Sequence, residues 1–162
     1  MRSQASLVVL ALLLASVAVA QTTPFIVAGN RSNYGSTELR GGFSPDPFTV
    51  ELLSGGNLSI RGMGLGPRCV GHAMARPDYI VRYSEPADRL RFYVRANGGD
   101  STLVVHSPDG RWLCDDDSGR GTNPLIDLPS PPAGTYEIWV GSYRHDQNLR
   151  ATLMLTGGDD IP

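Results

Sequence analysis

Of the 162 residues, the first 20 read as a removable export signal, which leaves 142, the size of one domain with a self-supporting core. All 14 basic residues are Arg; losing Arg2 with the signal leaves 13 against 16 Asp and Glu, the wrong sign for a nucleic-acid binder that relies on phosphate contacts. With 41% hydrophobic and 19% charged residues the chain is too apolar for disorder, and its 19 Gly and 12 Pro are too many turn formers for a helix bundle.

Met1 to Ala20 carries Arg2, an apolar run from Leu7 to Leu14, and the small-x-small ending Ala18-Val19-Ala20. This is the pattern of a secretory signal peptide, and the run is shorter than the ~20 residues a spanning helix needs. No second hydrophobic segment follows, so no membrane span is expected after signal removal, and a periplasmic or secreted location is expected. In an oxidising compartment the two remaining cysteines, Cys69 and Cys114, are most simply a disulfide. Two buried thiols, or a catalytic Cys paired with His72, His106 or His145, are the alternatives.

Residues 21–36 show little periodicity and read as an N-terminal arm, with room for a short strand at Phe25 to Ala28. From Thr37 to 156 short runs of period two are separated by Gly, Pro, Asp and Asn clusters, the spacing of an all-β sandwich. Phe48 to Leu52, the turn Ser54-Gly55-Gly56-Asn57 and Leu58 to Ile60 read as a hairpin. The pattern recurs as Tyr79 to Tyr83, a turn at Glu85 to Asp88, and Leu90 to Arg95, where Arg89, Arg91 and Arg95 form a wet face opposite Leu90, Phe92 and Val94. Both units begin with Pro-Asp, at Pro45-Asp46 and Pro77-Asp78, a weak sign of duplication against the simpler reading of recurrent turn chemistry. Thr102 to Val105, the tight turn Ser107 to Gly110 and Arg111 to Cys114 form a second-half hairpin. Strands at Leu125 to Leu128, Thr135 to Val140 and Ala151 to Leu155 follow, and residues 157–162 form a tail.

Three groups of residues invite a chemical reading. Asp115, Asp116 and Asp117 are consecutive carboxylates in an oxygen-rich loop of the kind Ca²⁺ selects, with Asp100 and Asn123 as further oxygens. The spaced ligands and closing Glu of an EF-hand are missing, so capping of backbone N–H groups is the expected role, Ca²⁺ the alternative, and no cofactor the expectation. No nucleophile-elbow or His-Glu-x-x-His pattern occurs, which favours solvated or locally bonded histidines. Trp112, Trp139 and Tyr143 are candidate ligand-stacking residues. In its strand Trp139 has the parity opposite to the core set, which places it on an outer face, open to a ligand or, more commonly, packed under a loop.

Asp100-Ser101-Thr102-Leu103, Pro108-Asp109-Gly110-Arg111-Trp112-Leu113-Cys114 and Tyr136-Glu137-Ile138-Trp139-Val140-Gly141, in that order, resemble the bacterial pre-peptidase C-terminal domain, a likeness that runs from about Gly35 to Leu155. The resemblance implies a jelly-roll β-sandwich, usually appended to secreted peptidases and itself non-catalytic, with some relatives binding Ca²⁺. With no protease domain fused to it, a stand-alone exported module is expected, contacting a carbohydrate or protein partner. A small hydrolase with loop-borne acids or His, and a structural envelope protein, are the other readings.

Overall fold

The computed structural model describes residues 26–29 and 31–159. The export signal and Phe25 lie outside them. Among the described residues there are eleven strands: β1 (Ser36–Arg40), β2 (Phe48–Leu53), β3 (Leu58–Ser59), β4 (His72–Ala73), β5 (Tyr79–Ser84), β6 (Arg89–Ala96), β7 (Ser101–His106), β8 (Trp112–Asp115), β9 (Leu125–Pro129), β10 (Gly134–Ser142) and β11 (Arg150–Thr156). The only helical element among the described residues is a 3-10 turn at Arg61–Met63.

The strands form two sheets. In the larger, β10 is central: β5 and then β1 lie on one side, β7 and then β8 on the other, and β4 with β3 continues past its end. The smaller runs β2-β11-β6-β9. Every pairing is antiparallel except β1 with β5. The faces turned toward each other carry the period-two apolar sets, among them Val81, Leu90, Phe92, Leu103, Ile138 and Leu153, all essentially inaccessible. Burying such side chains contributes ~1.5–3 kcal/mol each, so this layer holds the sandwich together.

Two expected hairpins are instead crossings between sheets. β2 pairs with β11 in the smaller sheet, whereas β3 pairs with β4 in the larger. β5 and β6 are likewise split between sheets. The first crossing needs its glycines: Gly55 and Gly56 have φ of +96° and +154°, and a Cβ on Gly56 would overlap the Ala73 carbonyl. A turn sequence read locally does not reveal whether the next strand returns to its neighbour or to the facing sheet. The Ser107–Gly110 hairpin forms as expected, with β7 paired to β8.

The arginine face of β6 is only partly wet. Arg95 is exposed, but Arg91 is buried, its guanidinium held by Asp127 at 3.1 Å and by the carbonyls of Gly158 and Asp159 at 2.9 and 2.7 Å. The segment after β11 folds back over this face, which strand parity does not report. The two Pro-Asp pairs also differ, since Asp46 accepts the Gly157 N–H at the surface while Asp78 is buried. Ile26 and Val27 lie in irregular chain rather than in the expected strand, although Ile26 is buried and the Val27 N–H bonds the Ala75 carbonyl.

Candidate functional site

A second apolar cluster lies on the outer face of the larger sheet. Trp139 and Val104 project from β10 and β7, and Ile60, Cys69, Ala73 and Ile26 cover them. Cys69 and Cys114 are bonded, with a Cα separation of 5.0 Å, so the irregular chain between β3 and β4 is stapled to β8. This corrects Trp139 as a ligand-stacking residue: its parity is the outer one, but with 0% exposure it is a floor on which the stapled loop packs.

Trp112 remains partly exposed, with its ring centroid 4.5 Å from that of His106 and 5.4 Å from that of Trp139. Tyr143 is exposed, but it sits at the Asp100 end of β7, its N–H bonded to the Asp100 carbonyl, whereas Trp112 pairs with His106 at the other end. A strand of that length spans ~17 Å, so Trp112, Trp139 and Tyr143 do not form one platform.

The acidic loop divides into a cap and a cluster. Asp115 is buried, and its carboxylate accepts the Ser118 N–H and the Leu125 N–H, both at 2.9 Å, and the Ser118 hydroxyl at 2.6 Å. Oxygens of Asp115, Asp116 and Asp117 lie within 4.8 Å of one another. Burial, then the charges of Asp117 and Asp115, push the Asp116 carboxyl above its ordinary range. Burial, then Asp116 and Asp117, do the same to Asp100, which the fold therefore brings to the loop; Arg61 faces Asp116 and Arg144 faces Asp100. Asn123 is committed elsewhere. Its Oδ1 accepts the Ala96 N–H at 2.9 Å and the Ser101 hydroxyl at 3.2 Å, which occupies both lone pairs and corrects its place among available metal oxygens.

Two surface openings bear on the candidate residues. A cleft of about 440 Å³ separates β8 from β9, walled by Trp112, Leu113, Leu125 and Ile126 and, on the outer side, by Pro67 and Arg68 of the stapled loop. Here the two sheets part, and the Asp115 carboxylate, reaching the Leu125 N–H, bridges them. A second opening of about 480 Å³ is rimmed by Tyr34, Leu53 and Met74, three of the exposed large apolar side chains, with Asp78 beneath. The Asp78 carboxylate accepts the Val140 N–H at 2.8 Å and the Asn33 amide at 3.1 Å, and burial pushes its pKa up to about 7.

No protein-family model matches this chain, and no curated protein matches it in sequence. The site is therefore read from its own residues. Sequence reasoning named Trp112 and Asp115, which line the cleft, but not Arg68 and Asp127 beside them or Asp78 in the second opening. It also missed Glu137, which is buried and meets His106 Nδ1 at 3.2 Å and the Gly29 N–H. Glu137 and His106 are directly opposed in the β10–β7 register, 31 residues apart in sequence. The legible signal was an acid in the middle of a strong strand, on the outer parity that it shares with Trp139.

Proposed function

We propose that the chain is a non-catalytic exported binding module of jelly-roll type that contacts a carbohydrate or protein partner in the cell envelope or outside the cell. The export pattern in residues 1–20 and the likeness to the pre-peptidase C-terminal domain support the location and the accessory role. Among the described residues no helix is long and apolar enough to cross a membrane, and the disulfide suits an oxidising compartment. The observation that carries the reading is the β8–β9 cleft. A partly exposed indole, backed by two further rings, stands at the mouth of an apolar slot that has an arginine on its rim. Rigid aromatic surface beside a few convergent polar groups is the composition of a recognition site.

The second reading, a small hydrolase, rests on the His106–Glu137 pair, because a carboxylate orients an imidazole for base catalysis. His106 Nδ1 is hydrogen-bonded to Glu137 and its ring lies on Trp112, so the pair braces the aromatic stack, and we assign it that positioning role. Capture of envelope proteins on the mature chain and a glycan array run in the same buffer test the proposal. Binding that falls at least tenfold in Trp112→Ala is expected. Turnover of ester, peptide or glycoside substrates that is abolished by His106→Ala would replace it with the hydrolase.

A further inference from the structure

The cleft has a feature that its side chains do not convey: two unpaired sheet edges face it. Among the described residues β8 pairs with β7 alone and β9 with β6 alone. Backbone groups in an antiparallel pair alternate between facing the partner strand and facing away. The Ser107 N–H bonds the Arg111 carbonyl, so residues 113 and 115 turn toward β7, and Trp112 and Cys114 turn their N–H and C=O groups outward. On β9 the Val94 N–H bonds the Pro124 carbonyl, so Leu125 and Asp127 are the residues that face away from β6, and Leu125 spends its N–H on Asp115. β8 thus presents two donors and two acceptors in a row to the cleft. A bare edge of this kind is a template for another strand.

We propose that the β8 edge takes up an extended peptide segment of a partner protein, one that places an apolar side chain in the slot and an acidic side chain against Arg68. This rests on the binding-module reading above and names its partner class. The added strand hydrogen-bonds the outward groups of Trp112 and Cys114. Its inward side chain enters between Leu113 and Ile126, and its outward side chains meet the indole of Trp112. Charge selects the acidic residue. Asp115 is engaged by three hydrogen bonds from Ser118 and Leu125, and Asp127 is paired with Arg89 at 3.3 Å and Arg91 at 3.1 Å. Arg68 is exposed and has no ion pair among the described residues, so it is the open charge of the cleft. A sugar would also stack on Trp112, but a row of four main-chain groups matches a peptide backbone better than it matches a pyranose.

The test is a library of ten-residue synthetic peptides with alternating apolar and polar positions, carrying Asp, Ser or Lys at each polar position in turn. Asp peptides are expected to bind the mature, disulfide-bonded chain at least tenfold more tightly than their Lys counterparts, and Arg68→Glu to invert that preference. In amide NMR spectra the best peptide should shift Trp112 and Cys114. N-methylation of its ladder-forming amides should weaken binding at least tenfold, a control that leaves the protein unaltered. Trp112→Pro, which removes an outward N–H at an edge position that tolerates proline, should weaken it further than Trp112→Ala, which loses the indole alone. If no peptide binds while a glycan or envelope protein does so through Trp112, the binding-module reading stands and the strand-addition inference falls. It falls equally if the N-methylated peptide binds unchanged, or if the shifts gather around Asp78. If peptides, glycans and envelope extract all fail to bind, both readings fall.

Discussion

The carboxylate of Asp115 accepts the backbone N–H of Leu125 at 2.9 Å, joining the end of β8 in one sheet to the start of β9 in the other. The same carboxylate holds Ser118, so one side chain closes the acidic loop and clasps the sandwich where its edges part. Asp115→Ala strands the Leu125 N–H and removes three hydrogen bonds, and it should destabilise the protein by ~2–3 kcal/mol. Asp116 and Asp117 relieve like-charge repulsion when removed, so Asp116→Ala and Asp117→Ala should lie within ~0.5 kcal/mol of wild type. Urea unfolding of the three variants checks the ranking, and three equal losses would contradict this division of the loop.

Calcium separates capping from metal binding. A bound ion would stabilise only the folded state, so the melting temperature would rise with free Ca²⁺ by mass action. With Asp115 engaged by three hydrogen bonds, Asn123 committed to Ala96 and Ser101, and Arg61 and Arg144 beside the remaining acids, we expect the same melt in millimolar Ca²⁺ and in chelator. A rise of several degrees that disappears in Asp116→Ala would overturn this expectation.

Asp78 makes stability pH-dependent in an unusual direction. Its carboxyl titrates at about 7 in the folded chain against 3.8 ordinarily, so the folded state binds the proton more tightly than the unfolded state does. The burial penalty is absent below the unfolded value, grows as pH rises, and is complete above about 7, where it is on the order of 4 kcal/mol. Asp78→Asn removes the titration. The stability of wild type minus that of Asp78→Asn should therefore be larger at pH 4 than at pH 8, other groups cancelling in the difference. Denaturant curves at the two pH values supply the measurement, and an unchanged difference would refute the assignment.

The disulfide and Trp139 form one unit. The crosslink spans 45 residues, and in the loop-closure account it stabilises by at most ~4 kcal/mol. Reduction, or Cys114→Ala, should lower the urea midpoint and loosen the loop over Trp139, so acrylamide should quench tryptophan fluorescence more strongly below the unfolding transition. Unchanged quenching in the folded, reduced protein would mean that packing alone holds the loop in place.

Of the candidate site, Trp112 and Asp115 were legible because each stands beside an unmistakable local signal, the Ser107–Gly110 turn and the acid run. Arg68 and Asp127 carry no local signal. One lies in an irregular loop and the other on the outer parity of a short strand, and they share a cleft only because β8 and β9 are edge strands of facing sheets. Glu137 was hidden in the same way, since its partner His106 is a register neighbour rather than a sequence neighbour.

By itself the sequence determined the all-β class, the position of most long strands, the inner parity of residues such as Ile138 and Val140, and the pairing of its two cysteines. Period-two burial, turn chemistry and an even cysteine count are local or countable properties. Tertiary structure alone decided which strands share a sheet, because Ser54 to Asn57 and Glu85 to Asp88 serve a crossing as well as a hairpin. It decided that the loop stapled by Cys69 covers Trp139, and that the segment after β11 covers Arg91. It also decided that β8 and β9 part to leave a cleft, because sheet order and loop coverage depend on contacts between residues far apart in the chain, and no local pattern encodes them.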